Sequence, residues 1–404
     1  MRAQFIFLLP GYRLAEVGRW LLFVLMLGLA SLAGAVETEA LVVHGFGTLG
    51  AVRTTSDQVE FVRDLSQASG AGRQWRSDVD SLLGLQANWR LNDDLEWVIQ
   101  GVSHHRYDGA FRPELSWAFV KYEPRPNLQM RAGRLGTEFF MLADSRQVGY
   151  SFLTVRPVGD FFWYLPFSSI HGGDVAMTVP LGEDLLRGKL FYGQAQGRLP
   201  LGSALWEIDG SPMGGGYLEY QTAFWQLRAS YANIRFNHDL PFAAMLGSPL
   251  PAAVEQHLAM SGKRSDYYSL GAVYDRGPWQ VQVMLNLIDQ QSQAFQSSMG
   301  GYVLAGYRID SVTPFAGLSR VYSKRRTDTM NSLLVGRLMA DTHADQTTFI
   351  LGMRWDVARH LALKAQLDAI RGDEDSILPY RNDPATGRWS GRMNVFSVSM
   401  DFLF

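Results

Sequence analysis

The sequence predicts an all-β chain that folds as a 16-stranded antiparallel up-and-down transmembrane β-barrel, with short periplasmic turns and long extracellular loops. Three observations predict this fold. Apolar and polar residues alternate over segments of about ten residues, as in strands that cross a membrane. Short and long connections between these segments follow one another in turn, and aromatic residues gather beside the short connections.

The composition suits such a chain and excludes several function classes. Of 404 residues, 47% are hydrophobic and 12% aromatic, which disfavours disorder and favours pleated structure. There is no cysteine, so disulfides, thiolate metal sites and a cysteine nucleophile are excluded. The formal net charge of -2 gives no electrostatic basis for binding nucleic acid, and no such partner is expected.

Residues 1–35 are predicted to be a cleaved signal peptide, and residues 36–404 the barrel. Basic residues precede the apolar stretch Trp20–Leu32, and a small-residue A-x-A cleavage site ends at Ala35. A membrane anchor is the weaker interpretation, because this stretch is shorter than the roughly 20 residues of a spanning helix. The prediction implies export to the cell outer membrane of a Gram-negative envelope.

The segment 349–357, FILGMRWDV, shows the alternation that predicts strands. Its odd-numbered positions are apolar, whereas Arg354 and Asp356 share the opposite face. A helix would turn these two charges to different sides, but a strand keeps them together, opposite a row that lipid can contact. By the same alternation, Val283 faces lipid and Gln282 faces interior water.

Sixteen segments of this kind are predicted. They span 40–53, 80–91, 94–104, 114–123, 127–135, 173–180, 185–196, 214–221, 224–236, 265–275, 278–289, 300–309, 312–323, 346–357, 360–371 and 393–404.

The connections between the segments alternate in length. The short, polar ones are Asn92-Asp93, Pro124-Arg125-Pro126, Leu181-Gly182-Glu183-Asp184, Thr222-Ala223, Arg276-Gly277, Asp310-Ser311 and Ala358-Arg359. Each is followed by a longer connection. An up-and-down barrel with turns at one rim and loops at the other requires this alternation, whereas a soluble β-sandwich does not.

Aromatic residues cluster near the short connections. They are Trp89, Trp97, Tyr122, Tyr220, Trp225, Tyr274, Trp279, Tyr307 and Trp355. Rings at a common height predict an aromatic girdle at the membrane interface, whereas ordinary core aromatics need not gather beside one class of connection.

The two ends of the mature chain resemble a known family. The opening VHGFGTLG, residues 43–50, is similar to the first strand of many Gram-negative porins, and FSVSMDFLF, residues 396–404, resembles the last strand of outer-membrane proteins. The resemblance implies that Phe404 is part of the signal read by the barrel-assembly machinery. It also implies that the longest connection, residues 136–172 after strand 5, folds inward as a constriction loop. A homotrimer is among the assemblies that it allows.

Charged residues on the inward faces are the candidate pore lining. A basic side chain that faces lipid at mid-depth costs roughly 2–4 kcal/mol, and this cost assigns such residues to the lumen. The basic candidates are Arg90, Arg131, Arg187, Lys189, Arg228, Arg308, Arg354 and Lys364, and the acidic ones are Asp174, Glu219, Asp310, Asp356 and Asp368. The basic excess predicts a weak anion preference.

The long loop carries charges of both signs. They are Glu138, Asp144, Arg146, Arg156 and Asp160. Two interpretations remain open. The charges are either solvated ion pairs, or they form a field across the pore that favours polar solutes.

Two motifs with chemical meaning are set aside. Residues 45–50 match G-x-G-x-x-G, but the segment that follows is too short for the crossover helix of a dinucleotide site. The pair His104-His105 has no ligands at convincing spacing and is predicted to be solvated in a loop. No cofactor, metal site or enzyme activity is therefore expected.

The predicted function is that of a porin, a water-filled channel for passive diffusion of small hydrophilic solutes or ions, which are its expected partners along with outer-membrane lipid. Sixteen strands leave an aqueous interior, which suits transport. Two alternatives remain open. One is a non-channel outer-membrane barrel protein, such as a barrel enzyme or an adhesin, and the other is a substrate-specific channel with a saturable site.

Overall fold

The computed structural model describes part of the chain. The described residues are 40–163, 165, 169–201, 204–324, 330, 335, 338, 342–374, 376, 380–382 and 389–404. The predicted signal peptide, residues 1–35, lies outside them.

Within these residues, 16 antiparallel strands form one closed barrel, which confirms the predicted fold. The strands are β1 (Leu41–Thr54), β2 (Leu82–Arg90), β3 (Leu95–His105), β4 (Phe111–Arg125), β5 (Leu128–Gly136), β6 (Ser169–Leu181), β7 (Asp184–Gln196), β8 (Ser211–Gln221), β9 (Trp225–Arg235), β10 (Arg264–Arg276), β11 (Trp279–Gln290), β12 (Ser298–Tyr307), β13 (Val312–Ser323), β14 (Asp345–Ala358), β15 (Leu361–Gly372) and β16 (Arg392–Leu403). Each strand pairs with its neighbours in the chain, and β16 pairs with β1.

Smaller elements lie in the connections. They include the helices α1 (Gly159–Phe162), α2 (Phe242–Leu246) and α3 (Ala252–His257), and a 3₁₀ turn that spans Gly149–Ser151. Two short strand pairs join Val59–Glu60 to Arg381–Asn382 and Arg198–Leu201 to Ala204–Glu207. No helix in the described part of the chain is long and apolar enough to cross a membrane.

The strand boundaries differ from the predicted ones mainly at β6. It begins at Ser169 rather than at residue 173, so the long connection after β5 spans residues 137–168. The extra residues pair with β5 up to Gly136. Gly172 and Gly173 interrupt the alternation of side chains there, and this is why the sequence pattern did not reveal the start of the strand.

The last residue of the chain helps to close the barrel. Phe404 and Gly45 exchange two backbone hydrogen bonds. The Phe404 N–H donates to the Gly45 carbonyl oxygen at 3.0 Å, and the Gly45 N–H donates to the Phe404 carbonyl oxygen at 2.7 Å. The rings of Phe402 and Phe404 lie 6.2 Å apart and cover Gly47 and Gly45 of β1, where a Cβ atom would collide with them. The glycines of the first strand therefore make room for the aromatic residues of the last.

The outer face is apolar and carries the predicted aromatic girdle. Leu190 is 67% exposed and Leu351 is 61% exposed, values that suit contact with lipid rather than water. Near the short turns, the rings of Trp225 and Tyr274 lie 4.8 Å apart. Exposed girdle residues include Trp89, Trp97, Tyr122, Trp279, Tyr307 and Trp355.

Part of the barrel interior is filled by a buried aromatic core, on the side where the loop after β5 packs. The ring of Phe139 lies 5.6 Å from that of Tyr267 on β10. Phe161 lies 5.6 Å from Tyr302 on β12 and 5.0 Å from Phe140. All five side chains are buried. The loop after β5 supplies three of these rings, so it packs against the inner wall.

Two predicted positions need correction. Gln282 points inward as expected, but it is 4% exposed and accepts a hydrogen bond from the Tyr302 hydroxyl at 3.0 Å. It does not face water, because it is buried beside Tyr302. Asp310 is not part of the wall, because it lies in the turn between β12 and β13 with a φ of 52°.

Candidate functional site: the barrel interior

The loop of residues 137–168 reaches deep into the barrel. Arg354 on β14 donates hydrogen bonds to the carbonyl oxygens of Tyr150, at 2.6 Å, and Phe152, at 3.0 Å. The Tyr150 hydroxyl donates to the carbonyl of Arg359, at 2.8 Å, in the short turn between β14 and β15. The loop therefore extends from the extracellular rim to the periplasmic turns.

Arg156 fixes the loop to the wall through buried charge. Its guanidinium donates to both oxygens of Asp80, at 2.8 and 2.6 Å, and to Asp368 on β15 at 3.2 Å. It also donates to the hydroxyl of Ser397 on β16. The side chain is 3% exposed. A displaced loop would separate this buried cation from its two carboxylate partners, which is costly. The ion pairs therefore favour one loop geometry.

Glu138 forms a second fixed point at the start of the loop. It lies 2.6 Å from Arg131 on β5 and 2.5 Å from Lys189 on β7, and both cations also contact Asp174 on β6. Burial alone would raise the pKa of Glu138, but the charges of Arg131 and Lys189 outweigh it and lower this pKa to about 2. Its backbone carbonyl accepts a hydrogen bond from Arg228 at 3.1 Å.

Lys364 and Asp160 bind the loop on the far side of the barrel. The Lys364 ammonium group donates to the carbonyl oxygens of Gly149 and Thr154, at 2.7 and 3.0 Å, and pairs with Asp401 at 2.9 Å. Asp160 accepts hydrogen bonds from Ser319 on β13 and Gln346 on β14, at 2.5 and 2.6 Å. Burial raises the pKa of Asp160.

The remaining predicted charges form pairs along the wall or lie near the rims. Arg228 pairs with Glu219 at 2.5 Å, Arg354 with Asp356 at 2.8 Å, and Arg308 with Asp275 at 2.6 Å. Arg187 donates to Gln129 at 3.0 Å. Arg90, at the end of β2, and Asp144, in the loop, are exposed, and Arg146 is half-buried.

The inward faces of β2–β4 carry a polar ladder that the sequence analysis did not single out. Gln86 donates to Asn88 and Asn88 to Glu96, both at 2.8 Å. Lys121 pairs with Glu96 at 2.6 Å and with Glu123 at 3.2 Å. The alternation along each strand was sufficient to find these residues, because their neighbours in the sequence are apolar and point outward.

The two sides of the interior differ in exposure. Inward side chains of β10–β16, such as Met284, Tyr302 and Gln366, are buried against the loop. The polar ladder on β2–β4 stays partly exposed, as does Arg131 on β5. The inward polar groups of β2–β5 are therefore less buried than those of β10–β16.

The two histidines of the sequence analysis are not solvated. His104 is 9% exposed and His105 is 2% exposed, at the end of β3. The His104 Nδ1 atom lies 3.2 Å from the carbonyl oxygen of His105. The folded segment before β2 covers them, and its Asp78 lies 3.7 Å from His105.

One group in the described residues combines possible metal ligands. His343, Asp345 and Asp373 bring ligand atoms within 4.8 Å of one another. However, Arg320 pairs with Asp345 at 2.5 Å, and the His343 Nδ1 atom lies 2.8 Å from the amide oxygen of Gln296. Arg320 competes with a cation for the carboxylate, so we assign no metal to this group.

No protein-family model and no curated protein matches the sequence. Solved structures do match the fold. An anion-selective porin from Comamonas acidovorans has a TM-score of 0.58 at 13% identity, over 90% of this chain and 99% of that one. Salmonella typhi OmpF in complex with daunomycin has a TM-score of 0.56 at 13% identity, over 92% of this chain and 100% of that one.

In-vitro folded OmpT, an outer membrane protein of Vibrio cholerae, has a TM-score of 0.55 at 13% identity, over 92% of this chain and 100% of that one. A trimer form of OmpT also matches, at 12% identity. At these identities the likeness shows a shared outer-membrane barrel fold, the one that the resemblance in the sequence implied. Whether the barrel is a channel or an enzyme must be argued from the residues of its interior.

Proposed function

We propose that this barrel, which has the porin fold, is an outer-membrane channel for passive diffusion of small hydrophilic solutes or ions. The observation that carries the proposal is the unequal filling of the interior. The loop packs against β10–β16, whereas the polar ladder on β2–β4 stays partly exposed. Solutes would pass between this ladder and the loop, so the loop acts as the constriction.

The charges along this path make the proposed channel weakly selective. Lys121 and Arg131 are paired with carboxylates of the wall and the loop. Arg90 and Asp144 are exposed and of opposite sign. Pairing therefore largely neutralises the excess of basic side chains that predicted an anion preference. We expect a modest preference for anions at most.

A substrate-specific channel with a saturable site is the second candidate. The aromatic core around Phe161 and Tyr302 removes much of the space that a wide diffusion pore needs. A narrow polar path holds a solute close to the wall, which favours binding. Uptake that saturates with solute concentration would distinguish this candidate from simple diffusion, and a folded barrel without any water path would favour a barrel enzyme or an adhesin.

Cysteine accessibility tests the proposed path directly. The chain has no cysteine, so a single introduced thiol reports one position. We expect a charged, water-soluble thiol reagent to modify Asn88→Cys quickly and to reduce conductance. The matched control Gln282→Cys is inward but buried, and it should stay unmodified in the folded barrel. Rapid modification of the control, or an inert thiol at position 88, would contradict the proposed path.

The mature chain, residues 36–404, is proposed to reside in the outer membrane after removal of the signal peptide, and the barrel-assembly machinery would recognise Phe404. A homotrimer is a compatible assembly. Amino-terminal sequencing of the protein from purified outer membranes tests the cleavage, and retention of residues 1–35 would contradict it.

A further inference from the structure

We infer that the outer face of β13–β16 and β1 binds a phosphate-bearing lipid of the outer leaflet, at a site separate from the channel. Arginines at the extracellular end of these strands would hold the phosphate, and an apolar groove below them would hold acyl chains. Four observations support this site.

First, a row of arginines crosses the outer face. Arg320 on β13 stands opposite Thr347 on β14, which stands opposite Arg371 on β15, which stands opposite Arg392 on β16. Alternation sets their direction, because the neighbours Val321, Ile370 and Met393 are buried inward. Arg392 begins β16 and Arg371 is the last residue but one of β15, so both lie at the extracellular rim.

Second, in the described part of the chain, the row places like charges directly opposite each other with no carboxylate paired to Arg371 or Arg392. Arg371 and Arg392 are cross-strand partners, an arrangement that is destabilising for like charges. Within the described residues, neither forms an ion pair, and only Arg320 in the row has a carboxylate partner, Asp345. Hydrogen bonds to Ile370 and Asn394 hold the Arg371 guanidinium in place, at 2.6 and 3.1 Å. An anion between the two arginines would remove the repulsion.

Third, an apolar groove of about 620 Å³ lies below the row on the lipid-facing surface. Its walls are Leu351, Met353, Leu367, Phe396 and Val398, and Ala365 leaves the space between them. A pairing row runs from Leu351 through Leu367 and Phe396 to β1. In a membrane such a groove is filled by hydrocarbon, and its apolar lining suits the acyl chains of a lipid.

Fourth, an unsatisfied arginine stands at the end of this groove. Arg53, the last residue but one of β1, is the pairing partner of Phe396. Its guanidinium lies 5.8 Å from the centre of the exposed Trp75 ring. Its Nε–H is buried and has no hydrogen-bond partner within the described residues. Arg53 as a whole is partly exposed and lines the groove, so the accessible part of its guanidinium can contact a lipid phosphate beside it.

A second copy of this chain fits the surface less well than a lipid. In a contact between two copies, the arginine row would face either the same row or another surface of the second copy. Arg53, Arg371 and Arg392 would then need carboxylate partners from that copy. A phosphate neutralises them without such partners, and its acyl chains match the groove. Basic residues near an anionic membrane surface contribute about 1 kcal/mol each.

Thermal unfolding of the purified full-length mature barrel in neutral detergent micelles tests the site. The probes are dimyristoyl phosphatidic acid, phosphatidylcholine with the same chains, and inorganic phosphate. We expect only phosphatidic acid to raise the unfolding midpoint of the unmodified protein. In the double variant Arg371→Gln, Arg392→Gln, the concentration for half the effect should rise about 25-fold, or about fivefold for each arginine removed.

Three further variants complete the test. Arg276→Gln removes an outward arginine at the opposite rim and should respond like the unmodified protein. Arg53→Gln should weaken the response even if the double variant folds poorly, and Ala365→Leu should do so by filling the groove. Equal responses in all variants, or an equal effect of phosphatidylcholine or inorganic phosphate, would overturn the proposal. A change in subunit number in the arginine variants without lipid would instead identify a contact between copies and would also overturn it.

Discussion

Replacing Arg156 with methionine should detach the inner loop from the wall. The substitution keeps much of the side-chain volume but removes the cation between Asp80 and Asp368. The arginine is 3% exposed, Asp80 is 0% exposed and Asp368 is 8% exposed, so two buried carboxylates would lose their nearest cation. Within the described residues, Asp80 would keep only Arg63, at 3.9 Å, and Asp368 only the amide of Gln366, at 2.7 Å. Removing one partner of a buried ion pair costs about 3–5 kcal/mol.

The cost should appear as a loss of unfolding free energy in urea, followed by tryptophan fluorescence and by the heat-modifiable mobility of the folded barrel. The double variant that also carries Asp368→Asn should recover part of the loss, because Asp368 then has no charge to pair and Asp80 still lies 3.9 Å from Arg63. As the matched control, Arg112→Met removes an exposed partner of Asp108 and should cost at most about 1 kcal/mol. An Arg156 variant as stable as this control would refute the reasoning.

Three further predictions concern other parts of the barrel. Leu351→Arg should cost about 2–4 kcal/mol of folding free energy because this residue faces lipid, whereas Asn88→Arg on the water-facing wall should leave the amount of folded barrel unchanged. Phe404→Ser should reduce assembly in cells but not export, since it removes the ring that covers Gly45, and normal levels of folded barrel would count against it. The ion pairs of Glu138 should add about 3 kcal/mol of stability above about pH 4.5, lost as the pH falls to about 2, and Glu138→Gln should abolish this pH dependence.

The sequence could predict the barrel because one rule governs every strand. Residues that face lipid must be apolar, so the alternation around Leu351 and Arg354 reveals the strand and both of its faces. The rule is weaker where glycines replace side chains, as at Gly172 and Gly173, and there the start of β6 was missed.

The contents of the interior could not be predicted in the same way. Alternation shows that Gln282 points inward, but it does not show whether water or protein lies beyond it. The answer depends on contacts between distant parts of the chain, such as Arg156 with Asp368. Buried His104 is a similar case, because the segment that covers it comes from before β2.

The outer arginine row shows a further limit of sequence patterns. Arg371 and Arg392 are separated by a long connection, and only the register of β15 and β16 makes them partners. A register shift by one residue would turn them to opposite faces. Their alignment with Arg320 and Thr347 therefore emerges only from the closed barrel.

Single-channel recording in planar bilayers tests the central claim most directly. The purified mature barrel, with its folded state verified by heat-modifiable mobility, should insert and give discrete conductance steps, smaller than those of a barrel with an open lumen. The reversal potential in a salt gradient should indicate weak selectivity. A folded barrel that inserts without conducting would contradict the channel and would favour a non-channel outer-membrane protein.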